Sequence, residues 1–375
     1  MRQVIGNLPL WAVFDSSHLL ALICGVFLPA VIRRVFTRSI RANERNNADE
    51  RSLYGLDHGR LHLKLPDDMW MNMGYWKGPS KTLSEACRDL LIEVFGTVGV
   101  NARPVPADHQ RGIKKSACVI DLGFGCGDQI TCLMGTIDPR KADLEPGTPG
   151  QYTGEFGKCF ENYVGITLDK KQYQFAVDRV GPASPDFGRL QKSRQNVKID
   201  MFCADAGKPE MWKAELKACV QEAVIRSEER WVLALDTAYH FSPSRWPVIK
   251  HACQTLGASF AAFDLCLSPT ATLRQKLLLR VLTSLMGAPW ANFVTPDEYR
   301  VKLIEAGYEA SGITIRDISE DVFGPLAAFL EQQERDLRIV GLGIGPFNVA
   351  RLLFQWWARS GVVRGVIVVA GQEQK

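Results

Sequence analysis

Asp121, Gly123, Gly125 and Gly127 stand at alternate positions in the stretch Cys-Val-Ile-Asp-Leu-Gly-Phe-Gly-Cys-Gly-Asp-Gln, residues 118–129. Glycines two apart let a backbone turn sharply and touch a ligand where a Cβ would intrude. A carboxylate two residues ahead of them attracts a cationic group, such as the amine of a bound amino acid, and repels a pyrophosphate. A dinucleotide turn reads Gly-x-Gly-x-x-Gly, with its third glycine one residue later than here. The pattern therefore favours S-adenosylmethionine over NAD, although a glycine triplet is also what a plain tight turn requires. A second chemistry-bearing run is Asp236-Thr-Ala-Tyr239-His240-Phe-Ser-Pro-Ser-Arg245. His240 has the only side chain in it whose ordinary pKa lies near neutrality, which suits proton removal from a substrate hydroxyl, amine or activated carbon. The alternative reading bonds His240 to a neighbouring loop, and Arg245 either joins the set or starts a helix.

The elements that must position these groups are legible from pattern. Cys118 to Leu122 is short, apolar and rich in β-branched residues, hence a buried strand, and Asp128 to Met134 begins a helix whose free N–H groups face the turn. Further strands are predicted at Tyr163–Leu168, Asn196–Ala206, Trp231–Leu235, Ala258–Leu267, Glu309–Ile315 and Gly361–Ala370. Helical spacing marks Leu83–Phe95, Thr272–Leu285 and Ala328–Trp357, and Thr295 with Pro296 starts a helix that ends at Gly307. Strands alternating with helices predict a doubly wound α/β domain with a mostly parallel sheet of about seven strands. Ligands then lie beyond the carboxyl ends of the strands, where the run from Asp236 to His240 falls. Gly341-Leu-Gly-Ile-Gly345 has no preceding acid and is followed by proline, so it reads as a loop.

Several of these motifs in order resemble the class I S-adenosylmethionine-dependent methyltransferases, small-molecule type: Gly-Tyr-Trp at 74–76, Asp-x-Gly-x-Gly-x-Gly at 121–127, Gly-Ile-Thr-Leu at 165–168, Ala-Asp-Ala at 204–206 and Asp-x-x-Tyr-His-Phe at 236–241. They are similar to tocopherol and ubiquinone methyltransferases and to cyclopropane-synthase relatives. The resemblance implies a Rossmann-like methyltransferase fold from Met69 onward, with Tyr75 and Trp76 folding over the cofactor. It implies that Asp205 accepts from the adenine amino group while Ala206 leaves room for the ring, and that Tyr239 and His240 line the acceptor site. Asp236 joins the cofactor set. Many members carry an acid at the end of the second strand for the ribose hydroxyls; here Thr167 stands there, so Thr167 and Gln172 become the expected partners. The N-cap of a following helix is an equally ordinary role for Asp205.

The net charge of +4 over 375 residues is small and excludes nucleic acid as an obligate partner. Ten scattered cysteines form no Cys-x-x-Cys pair, which predicts a reducing, intracellular compartment and no metal site. Leu19 to Ile32 is uncharged and mostly apolar, and Arg33, Arg34, Arg38, Arg41 and Arg45 follow it. A basic flank after the apolar core argues against a cleaved signal peptide and fits a membrane anchor with the catalytic domain in the cytosol. An amphipathic helix covering the domain is the alternative. The expected division is residues 1–45 as anchor and basic flank and 46–375 as the methyltransferase domain, with a surface insertion at 138–158. The expected activity is methyl transfer to an apolar small molecule such as a lipid, quinone, terpenoid or polyketide. Its rivals are an NAD(P)-dependent oxidoreductase and a non-catalytic, membrane-associated cofactor binder.

Overall fold

The computed structural model describes Arg60, Leu63 and residues 68–78, 81–97, 116–134, 160–181 and 197–372. The predicted anchor at 19–32, its basic flank and the insertion at 138–158 lie outside the described residues. The chain divides into two units, Met1–Lys64 with Arg338–Leu342, and Leu65–Leu337 with Gly343–Lys375. In the first, the Arg60 guanidinium donates to the carbonyls of Val340 and Gly341 at 3.0 and 2.8 Å. Among the described residues no helix is long and apolar enough to cross a membrane.

The second unit is built on a seven-stranded sheet: β1 (Ala117–Leu122), β2 (Asn162–Thr167), β3 (Lys198–Cys203), β4 (Glu229–Leu235), β5 (Ser259–Leu267), β6 (Ile313–Asp317) and β7 (Val363–Ala370), in the order β3-β2-β1-β4-β5-β7-β6. The first five run parallel, and β7 enters antiparallel between β5 and β6. Strand order reverses between β1 and β4, which places the ligand crevice of an open α/β sheet at their carboxyl ends.

Alternation along the strands builds two cores. Val119, Leu233, Phe263 and Ile367 turn to one face, under α1 (Leu83–Thr97), α2 (Asp128–Met134), α3 (Lys170–Val180), α6 (Leu273–Leu285), α8 (Phe323–Ile339) and α9 (Phe347–Ser360). Ile120, Val232, Ala262 and Val368 turn to the other, under α4 (Ala214–Arg226), α5 (Trp246–Gln254) and α7 (Pro296–Ala306). Both faces of the central strands are therefore apolar, as a parallel sheet covered on both sides requires. Helix ends follow their sequence signals. Thr272 and Thr295 each close a capping box, with Gln275 and Glu298, and Gly307 ends α7 at a φ of 113°.

Candidate functional site

Two of the three glycines in the β1–α2 turn allow contacts that a side chain would block. Gly123 has a φ of 115°, and a Cβ on it would lie 2.7 Å from the Thr237 hydroxyl oxygen, so the turn is pressed against the loop after β4. Gly127, at a φ of 95°, would meet Ala176 of α3 at 3.2 Å. This packing leaves a cavity of about 390 Å³ at the carboxyl ends of β1 to β4. The turn contributes Gly123, Phe124, Gly125, Cys126, Asp128 and Gln129; the β2 end Thr167, Leu168, Asp169 and Gln172; the β3 end Asp205 and Ala206; the β4 end Asp236, Thr237, His240 and Phe241. Met69, Trp70, Met71 and Asn72 close another side. Among the described residues four carboxylates line this cavity, and no lysine or arginine does.

Gly123, Gly125, Thr167, Gln172, Asp205, Ala206, Asp236 and His240 thus meet at one place. Asp121, Gly127, Tyr239, Tyr75 and Trp76 are not in the wall. Asp121 is fully buried behind it, accepting from the Tyr163 hydroxyl at 2.7 Å and from Gln129 Nε2 at 3.1 Å. The parallel register sets it beside Gly165, where a Cβ would come 2.8 Å from the Tyr163 ring, so the missing side chain makes room for that phenol. Burial pushes the Asp121 carboxyl up to about 7, against the pull of those two bonds. Gln129, which touches both Asp121 and the cavity, was not singled out in the sequence.

The segment 68–76 lies over the turn as a strap. The backbone N–H of Met69 donates to Asp128 at 3.1 Å and that of Met73 to Asp236 at 2.7 Å. Between these ties the Met71 thioether lies 3.7 Å from the Cys126 thiol. Tyr75 and Trp76 face away from the cavity. Tyr75 N–H donates to the Ala86 carbonyl, Trp76 N–H to that of Asp321, and the indole lies tilted against Phe329 with ring centroids 5.0 Å apart. The Gly-Tyr-Trp motif therefore anchors the strap, and residues three to seven positions earlier touch the cavity.

Asp128 is a buried acid and Asp236 a half-buried one. Asp128 pairs with Arg179 at 2.7 Å, and burial still raises it to about 6. Asp236 sits in the left-handed region at a φ of 60°, accepts from the Tyr239 hydroxyl at 3.0 Å, and is raised by burial to about 8. Asp205 accepts from Gly207 N–H at 3.0 Å and pairs with Lys208 at 2.9 Å. It caps no helix: the turn that follows begins at Pro209 and α4 is preceded by Lys213. Asp169 instead caps α3, accepting from the N–H groups of Lys171 and Gln172. Thr167 Oγ1 lies 3.4 Å from Gln172 Oε1.

His240 stands on the cavity rim, open to solvent on one side, its ring 4.3 Å from that of Tyr239. Surrounding protein lowers its pKa by desolvation, while the Gly287 carbonyl and Asp264 oppose this. Asn292, fully buried, fixes the loop: its amide donates to the carbonyls of Tyr239 and Phe241 at 3.0 and 2.9 Å, and its oxygen accepts from Arg245 N–H at 2.9 Å. Arg245 precedes α5, as a helix start would, and is not in the cavity wall; its guanidinium forms a fully buried ion pair with Asp264 at 2.5 Å.

No protein-family model and no curated protein matches the sequence. Among solved structures the chain is similar to a cyclopropane synthase from Mycobacterium tuberculosis (12% identity, 80% of this chain and 90% of that one, TM-score 0.46). It is similar to a putative sarcosine dimethylglycine methyltransferase from Galdieria sulphuraria (13%, 84% and 97%, TM-score 0.48), and to a [4+2]-cyclase (14%, 79% and 85%, TM-score 0.46). Likeness at this level carries no argument about reaction or ligand.

Proposed function

We propose that the protein transfers a methyl group from S-adenosylmethionine to an apolar small-molecule acceptor. The observation that carries this is the wall of the cavity, with Asp128, Asp169, Asp205 and Asp236 in it and, among the described residues, no lysine or arginine. A unit charge at about 4 Å from a carboxylate near a protein surface gains or loses roughly 4 kcal/mol according to sign. Such a wall suits a ligand bearing sulfonium and ammonium groups and rejects the pyrophosphate of NAD(P). The order of motifs from Gly74 to Phe241 supports the same reading.

When bound, S-adenosylmethionine supplies a methyl group already activated by its sulfonium. The residues of the chain bind, align and exclude water, since alignment of the reacting atoms accounts for much of the rate in such a displacement. Asp128, Gln129 and the glycine turn would hold the amino acid portion, Thr167 and Gln172 the ribose, and Asp205 with Ala206 the adenine. His240, kept neutral by its lowered pKa, would accept the proton that the acceptor atom gives up. Met69, Met71, Leu168 and Phe241 make the remaining wall apolar, which motivates an apolar acceptor.

Equilibrium dialysis with labelled S-adenosylmethionine, run beside a fluorescence titration with NADPH, tests the donor. Retention of NADPH alone overturns the proposal. Incubation with labelled donor and a fractionated lipid extract then tests transfer, and tight donor binding with no labelled product would favour a non-catalytic role.

A further inference from the structure

We propose that α6 is a docking surface for an anionic lipid bilayer. Four of its leucines are strongly exposed, Leu273 at 73%, Leu277 at 52%, Leu278 at 48% and Leu285 at 58%, while Leu279 and Thr283 alone on the helix are buried. Its charges are Arg274, Lys276 and Arg280, and no acid occurs between Thr272 and Gly287. Thr272 and Gln275 close a capping box at its start. Exposed leucines on a formed helix are unfavourable in water. Leucines together with an all-basic polar set are what an interfacial helix uses, the leucines entering the acyl boundary and the cations meeting lipid phosphates. Each such cation near an anionic surface strengthens partitioning about fivefold.

Position ties this helix to the cavity. It follows β5 at the carboxyl edge of the sheet, where the cavity opens, and it leads into Gly287, whose carbonyl faces His240. On the cavity rim itself Leu168 and Met71 are exposed at 72% and 59%. A bilayer docked on α6 would stand beside the mouth of the site. The proposal does not depend on methyl transfer, because the helix would meet lipid whatever the cavity holds.

The test uses the full chain with vesicles of phosphatidylcholine alone and of phosphatidylcholine mixed with phosphatidylglycerol, read by co-sedimentation and by hydrogen exchange. The protein should sediment with the anionic vesicles, more weakly as salt is raised, and exchange should slow over residues 272–287. Arg274→Glu with Arg280→Glu, and separately Leu277→Glu with Leu278→Glu, should each weaken partitioning by about tenfold or more. Their thermal midpoints should match the parent's, because all four side chains are exposed. Should either pair lower the midpoint, exchange in the parent still decides. Unchanged partitioning in both variants overturns the proposal, as does vesicle binding with no added protection over 272–287, which would place the contact elsewhere, for instance at 19–32. Slow exchange there before lipid is added also overturns it, since another part of the chain or a second copy would then cover the helix.

Discussion

Desolvation by the surrounding protein pushes the Asp236 carboxyl up to about 8 in the folded protein, against about 4 in an unfolded chain. Asp121, raised to about 7, and Asp128, raised to about 6, behave alike. The folded state holds these protons where the unfolded chain has released them, so stability of the ligand-free protein should fall as pH rises from about 4 to about 8. A cationic ligand binds best beside the ionised forms. Calorimetry should therefore show affinity for S-adenosylmethionine rising across pH 6 to 8, by up to about tenfold per unit below a controlling pKa, while the uncharged-sulfur product shows a flatter profile. Equal slopes for the two would remove the carboxylates from donor recognition. Asn292→Ala leaves two carbonyls and one N–H unpaired around the His240 loop, costing about 2–4 kcal/mol of stability. In a methylation assay it should lower kcat by at least tenfold with KM for the donor little changed. That role was not legible in the sequence, because Asn292 lies some fifty positions from the carbonyls it holds. The place of Asp121 at the end of a strand was legible, but its bond to Tyr163 behind the wall was not, because the link runs across a strand register that one chain segment does not reveal.

At the scale of elements, the strap over the glycine turn depends on two backbone bonds to side chains far along the chain. Asp236→Ala removes one of them and also the partner of the Tyr239 hydroxyl. Hydrogen exchange over residues 68–78 should then accelerate, and donor affinity should fall at least tenfold at pH 8; slow exchange in the variant would mean that Tyr75 and Trp76 hold the strap without help. Gly123→Ala would force a methyl group against Thr237 in a left-handed backbone, and it should abolish donor binding while the protein stays folded. The strands and the helices α1, α2, α6 and α7 were legible to within a few residues because their signals are local: β-branched runs, threonine caps, a terminal glycine; α3, α4 and α5 were not marked, and α8 and α9 were read as one stretch. The strap was misread in one respect. Its aromatic residues looked like ligand contacts, whereas they fill the seam between α1 and α8, since rings of that size contribute most when buried.

For the whole molecule, the buried pair of Arg245 and Asp264 joins the start of α5 to β5. Asp264→Ala leaves a guanidinium without countercharge and should destabilise the protein by about 3–5 kcal/mol, measured by denaturant unfolding. Sheet order was beyond the reach of pattern, because a strand buried on both faces looks the same whichever neighbour it pairs with. The antiparallel entry of β7 was invisible for that reason. Its placement has a bearing on synthesis. The strands β2 to β5 each find a neighbour already made as they emerge, but β6 has none until β7 arrives, two helices later. A nascent chain arrested before Val363 would carry an open flank on β5 and a stray β6 ribbon, exposed to chaperones and proteases until the last strand leaves the ribosome.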